Sequence, residues 1–126
     1  MRRWMVIAAA AFGAAPALAQ QQACSSPAFE NRLVAAVAKG EVAIKAIPPD
    51  KADAFARCYA RTACASLSKV EFEMYALSSI SSYGDDRAEK EYLGRMKTQR
   101  KENNAALDKL TPKALTDGCK REAGVP

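Results

Sequence analysis

Beyond residue 26, apolar residues recur every three to four positions, and the recurrence is interrupted only at prolines, capping residues and glycines. Ser26-Pro27 pairs a capping serine with a proline suited to a first helical position. Behind it, Phe29, Leu33 and Val37 form one apolar stripe. Gly40 weakens this helix, but Ile44 and Ile47 resume the pattern, so it is expected to reach about residue 46, kinked at the glycine. Pro48-Pro49 is a hard break, after which Asp50 is expected to cap a second helix. Phe55, Cys58, Tyr59 and Thr62 line one face of that helix, and Arg57 and Arg61 lie opposite.

Ser68-x-x-Glu71 reads as a capping box, with Leu67 and Phe72 in the staple positions around it. The third helix is expected to run to about Tyr83 and to end at Gly84. Its residues Val70, Phe72, Met74, Ala76, Leu77, Ile80 and Tyr83 cover more than half the circumference, which predicts a central helix touched on several sides. Asp86-x-x-Glu89 marks a fourth start, continuing to about Leu110 with Ala88, Tyr92, Met96, Leu107 and Leu110 on one face. Thr111-Pro112 opens a short last helix carrying Leu115 and Cys119, and Gly124-Val125-Pro126 is expected to fray. No segment alternates with period two. The expected fold is all-α, a small bundle of about five helices forming a single domain over residues 26–126.

The N-terminus changes the picture of where this bundle works. Met1-Arg2-Arg3-Trp4 is a basic start, Met5 to Ala15 is apolar and uncharged, and Ala17-x-Ala19 supplies small residues for cleavage. These are the three parts of a secretory signal, predicting a removable signal peptide over 1–19 and a flexible lead-in over 20–25. The apolar run is too short to span a bilayer, which takes roughly 20 residues. Lipidation of Cys24 is not expected, because Gln21-Gln22-Ala23 puts a polar residue where a lipoprotein triplet has leucine. Removing residues 1–19 leaves 107 of the 126 residues and lowers the formal charge from +5 to +3, since Arg2 and Arg3 leave with the signal. That mild charge suits solubility and does not single out a nucleic-acid partner. The expected location is the periplasm or the extracellular space.

Cys24, Cys58, Cys64 and Cys119 all survive cleavage. An even set in a small exported domain reads as two disulfides. On one helix, positions six apart differ by about 9 Å of rise and about 120° of rotation. A bridge needs Cα atoms within roughly 7 Å. Cys58 and Cys64 therefore each require another partner. If the first two helices form an antiparallel hairpin, the end of the second returns to the start of the first, which favours Cys24–Cys64 with Cys58–Cys119 over the swap of Cys24–Cys58 with Cys64–Cys119.

The chain contains no histidine. Histidine-activated nucleophiles are thereby excluded within this chain, as is a histidine proton switch. No metal-ligand spacing is present, and no cofactor, metal or catalytic residue is expected. Glu73 falls inside the apolar arc of the third helix, where it either titrates as a buried acid or pairs with an arginine; the second is favoured. Gln99 and Asn103 interrupt the apolar stripe of the fourth helix, which suggests that its middle projects beyond the body or faces a polar cavity or partner. Lys97, Arg100 and Lys101 cluster beside them, by default a solvated face. These five residues are the candidate partner face. The functional expectation is a non-enzymatic exported binding or accessory protein, such as an inhibitor, immunity-type protein, subunit or chaperone, with another periplasmic or envelope protein as partner. The alternative is a carrier holding a small apolar ligand in a cavity lined by Phe55, Phe72, Met74 and Met96. A carboxylate-dependent hydrolase, with two facing acids about 5–9 Å apart, ranks third.

Overall fold

The computed structural model describes Cys24 and residues 26–126; the expected signal peptide lies outside the described residues. The described residues form five helices and no strand: α1 (Pro27–Ala43), α2 (Pro49–Ser66), α3 (Lys69–Ser82), α4 (Asp86–Lys109) and α5 (Pro112–Ala123). The fold is all-α, as the periodicity predicts.

Local chemistry sets most of the boundaries. Pro27, Pro49 and Pro112 each stand at the first helical position, where a missing N–H costs nothing. The α3 capping box forms in full: the Glu71 N–H donates to Ser68 Oγ at 3.3 Å, and the Ser68 N–H donates to Glu71 Oε1 at 3.0 Å. Several boundaries differ from the sequence expectation. Asp85, rather than Asp86, caps α4, accepting from the Ala88 N–H at 2.9 Å. Pro48 in an extended conformation precedes α2, and Asp50 sits within its first turn, where a carboxylate still favours the helix dipole. Ser26 occupies the N-cap position of α1 without capping it. Its buried hydroxyl instead donates to Glu73 Oε2 at 2.8 Å, so a tertiary contact has claimed it.

α1 stops at Ala43, short of residue 46, and Gly40 does not break it. Lys45 turns the chain with φ 60°, and the Ala46 and Ile47 N–H groups return to the Glu41 carbonyl. This early exit buries Ile47 and leaves Ile44 exposed. Gly40 serves packing: a Cβ there would overlap the Tyr83 ring. At the C-terminus, Gly124 adopts a left-handed conformation with φ 78° and caps α5. The Val125 N–H bonds the Lys120 carbonyl at 2.8 Å and its side chain packs on the core, so the expected fraying does not extend to these two residues.

Neighbour relations give the spatial order α5–α2–α1–α3–α4, with a lighter contact between α2 and α3. α3 is central in burial, with Phe72 through Leu77 consecutively enclosed. Leu33 and Val37 of α1, Phe55, Ala56 and Ala63 of α2 and Phe72 and Leu77 of α3 make the heart of the core. Two bridges staple it. Cys24 pairs with Cys64 across a Cα separation of 5.1 Å, tying the approach to α1 to the end of α2. Cys58 pairs with Cys119 across 5.6 Å, tying α2 to α5. Cys24, in the segment expected to be a flexible lead-in, is thus fully buried and anchored. Each bridge restricts the unfolded chain and contributes about 2–4 kcal/mol.

Candidate functional site

The long helix α4 packs against α3, and its opposite side is exposed. Three ion pairs hold it. Arg95 donates to Glu73 Oε1 at 2.8 Å, Arg32 to Glu91 at 3.1 Å and Lys109 to Glu71 at 2.8 Å. Glu73 is only 7% exposed, and both of its oxygens are occupied, one by Arg95 and one by Ser26. It is a paired structural carboxylate linking the residue before α1 to α3 and α4. Arg32 and Arg95 each lie 5.3 Å from the centroid of the Phe29 ring, adding cation–π attraction to the same junction.

α4 bends at Gln99, where φ −122° and ψ 26° depart from helical values. Beyond the bend, Asn103 is 4% exposed and Ala106 fully buried, whereas Leu107, expected on the packed face, is 48% exposed. Asn103 Oδ1 accepts from the Tyr92 hydroxyl at 2.9 Å. Gln99 Oε1 is buried without a hydrogen-bond partner among the described residues. The five candidate partner-face residues therefore divide. Gln99 turns its carbonyl inward and Asn103 is buried, so the middle of the helix does not project beyond the body at these two positions. Lys97, Arg100 and Lys101 remain exposed. None of the three joins an ion pair among the described residues, and no acid occurs from residue 92 to 101. Leu93, 57% exposed, lies one turn before Lys97 on the same side.

The apolar-carrier residues do not gather around a described cleft. Phe55, Phe72 and Met74 are enclosed by packing. A different cleft of about 300 Å3 opens between α1 and the end of α3, lined by Gly40, Ala43, Ile80 and Tyr83, with Lys39 and Asp85 as its charged members. A polar cleft of about 240 Å3 lies beside Glu30, Asn31, Arg57 and Arg61. A third, of about 430 Å3, is formed by the α1–α2 turn and Val125. None of these three is lined by two carboxylates. Cys24, Glu30 and Cys64 bring three donor atoms within 4.8 Å of one another, but both sulfurs are committed to the bridge.

Perturbed side chains cluster around α3. Burial raises the Tyr75 phenol well above its ordinary value of 10.0, reinforced by the Tyr59 hydroxyl 3.1 Å away. Burial likewise raises Tyr83, whose hydroxyl donates to Glu41 at 2.7 Å and thereby favours the protonated form. Burial alone would raise Glu71, but hydrogen bonds from Lys109 and Ser68 hold its carboxyl below the ordinary 4.5. All three settings are explained by packing and capping. The pairing of Glu73 with an arginine is signalled by its place in the apolar arc of α3, though not which arginine, and the Gly40–Tyr83 contact has no local sequence signal. The bend did leave one, namely two amides on an apolar stripe.

No protein-family model matches the chain, and no curated protein or solved structure matches it.

Proposed function

We propose that this protein is a small exported accessory protein without catalytic activity, which acts in the periplasm by binding an envelope component through the exposed side of α4. The observation that carries this reading is the unneutralised cluster of Lys97, Arg100 and Lys101 on a helix packed mainly against one neighbour. Two disulfides fit an oxidising compartment, and no described helix is long and apolar enough to cross a membrane. The absence of histidine and the paired state of Glu73 support a binding role over an acid–base one. The test is fractionation of cells expressing the full chain beside the K97E/R100E/K101E variant. The native protein is expected in the periplasmic fraction and associated with the envelope at low salt, with the association lost in the variant. A native protein that stays in the cytoplasm, or that shows no envelope association, refutes the reading.

The second reading, a carrier of a small apolar ligand, is favoured by the cleft beside Tyr83 rather than by the residues first expected. Thermal stabilisation by an apolar fluorophore, abolished by filling the cleft with Ala43→Phe, is its expected signature. Undiminished stabilisation in the variant removes it.

A further inference from the structure

We infer that the component met by α4 is an anionic lipid surface, engaged through the phosphates of its headgroups. This rests on the reading of α4 as the binding face and specifies its partner.

Three features of the face converge. The first is its arrangement of charge and apolar surface. A face that docks on another protein gathers apolar residues at its centre and leaves charge at the rim. Here the order is inverted. Lys97, Arg100 and Lys101 occupy the middle, and the exposed leucines, Leu93 and Leu107, stand at the two ends. Fourteen residues separate the leucines, about 21 Å along a helix. Cations flanked by apolar anchors match a headgroup layer, where the charges meet phosphates and the leucines reach the acyl boundary.

The second feature is shape. α4 packs against α3 at one edge of the helix order α5–α2–α1–α3–α4, so its outer side forms a ridge. A convex ridge has no need of a complementary groove to meet a flat, deformable lipid surface. The third is that the charge is available. Arg32, Arg95 and Lys109 are neutralised by Glu91, Glu73 and Glu71, and these pairs hold the helix in place. Lys97, Arg100 and Lys101 form no ion pair among the described residues, although Glu102 follows directly on Lys101. Beyond the bend at Gln99, Asn103 and Ala106 are buried and Leu107 is left exposed.

The test uses the purified, disulfide-bonded protein with sedimenting vesicles of phosphatidylcholine alone or of phosphatidylcholine mixed equally with phosphatidylglycerol. Binding to the mixed vesicles at low salt is expected, with little to phosphatidylcholine alone and progressive release as salt rises. Removing three cations with K97Q/R100Q/K101Q is expected to weaken binding on the order of 100-fold. L93S/L107S is expected to weaken it several-fold while retaining the preference for phosphatidylglycerol. K113Q/R121Q, which removes two cations from α5, is expected to leave it unchanged. Unchanged helicity and melting temperature in the α4 variants exclude loss of fold as the cause.

Equal binding to both vesicle types, or binding to mixed vesicles that the α4 substitutions do not weaken, overturns the proposal. So does displacement by inorganic phosphate at matched ionic strength, which would indicate a simple anion site. Capture on polyglutamate without vesicle binding would assign the face to an acidic protein. In that outcome the envelope association proposed above survives and only the lipid assignment fails.

Discussion

α2 and α4 secure themselves to the same small core in opposite ways. α2 has 18 residues and buries seven of them, including Phe55 and Tyr59, and it carries one cysteine of each bridge. α4 has 24 residues but buries only Ala88, Asn103 and Ala106. It has little apolar side chain to enclose and relies on ion pairs with α1 and α3. Length is therefore a poor guide to anchorage in this protein. The helix that holds the fold is dense in small apolar residues and crosslinked, and the longer one keeps most of its surface for the outside.

The strongest way to break this contrast is to remove the covalent support of α2. Substituting both Cys58 and Cys119 with alanine is expected to cost about 2–5 kcal/mol in denaturant unfolding. Amide exchange should accelerate most in α5, which otherwise adds only Leu115 to the buried core. If α4 loosens more than α5, the assignment of the crosslink to one end of the bundle is wrong. Next in size is Arg95→Met, which leaves Glu73 buried with Ser26 as its remaining partner. About 1.5–3 kcal/mol should be lost, as for a hydrogen bond to a charged group. Adding Glu73→Gln should recover part of that loss, and a double-mutant cycle showing no coupling would remove the ion pair from the account of α4.

Alkaline pH probes the α3 side of the comparison without mutation. Tyr75 and Tyr83 have folded-state values above the ordinary 10.0, so the unfolded chain gives up these protons first. Their contribution is full below pH 10 and is lost as the pH rises above it. Phenolate absorbance should lag in native protein and appear together with loss of helix; full ionisation of all tyrosines in a still-folded chain contradicts this.

Two substitutions on α4 sharpen the role of the bend. Gln99→Leu removes an unsatisfied buried carbonyl and should stabilise the fold by about 1 kcal/mol. Leu107→Lys should change stability by less than about 0.5 kcal/mol, the ordinary range for an exposed position. A loss of the size expected for a buried leucine would place Leu107 back on the packed face.

Much of the architecture was legible because it is written in short-range chemistry. Proline at the first helical position, the Ser68–Glu71 box and the apolar sweep of α3 act within one or two turns, and each sits where the pattern puts it. What escaped was decided over long distances. Ser26 has the residue type of a cap, but Glu73, 47 positions away, takes its hydroxyl. Gly40 looks like a weak point of its helix until Tyr83 arrives over it. On the candidate face, the exposure of Lys97, Arg100 and Lys101 follows from their charge. The azimuth of Gln99 and Asn103 is legible too, since 100° per residue places both within about 60° of Ala88; what their amide type hides is that the body encloses them. The pairing of the cysteines was accessible in two steps: an unbroken helix keeps Cys58 from Cys64, and an antiparallel hairpin of the first two helices then favours Cys24–Cys64 with Cys58–Cys119 over the swap.

That pairing also decides how the molecule would bear tension. Followed through covalent bonds, the route from Cys24 crosses to Cys64, retraces α2 back to Cys58 and leaves through Cys119. Only the short stretch between Cys58 and Cys64 lies on it, which could lengthen to no more than about 21 Å even if fully drawn out. A pull applied on the Cys24 and Cys119 sides would be borne by less than two turns of helix. α1, α3 and α4 would sit on slack side loops, shielded from the load.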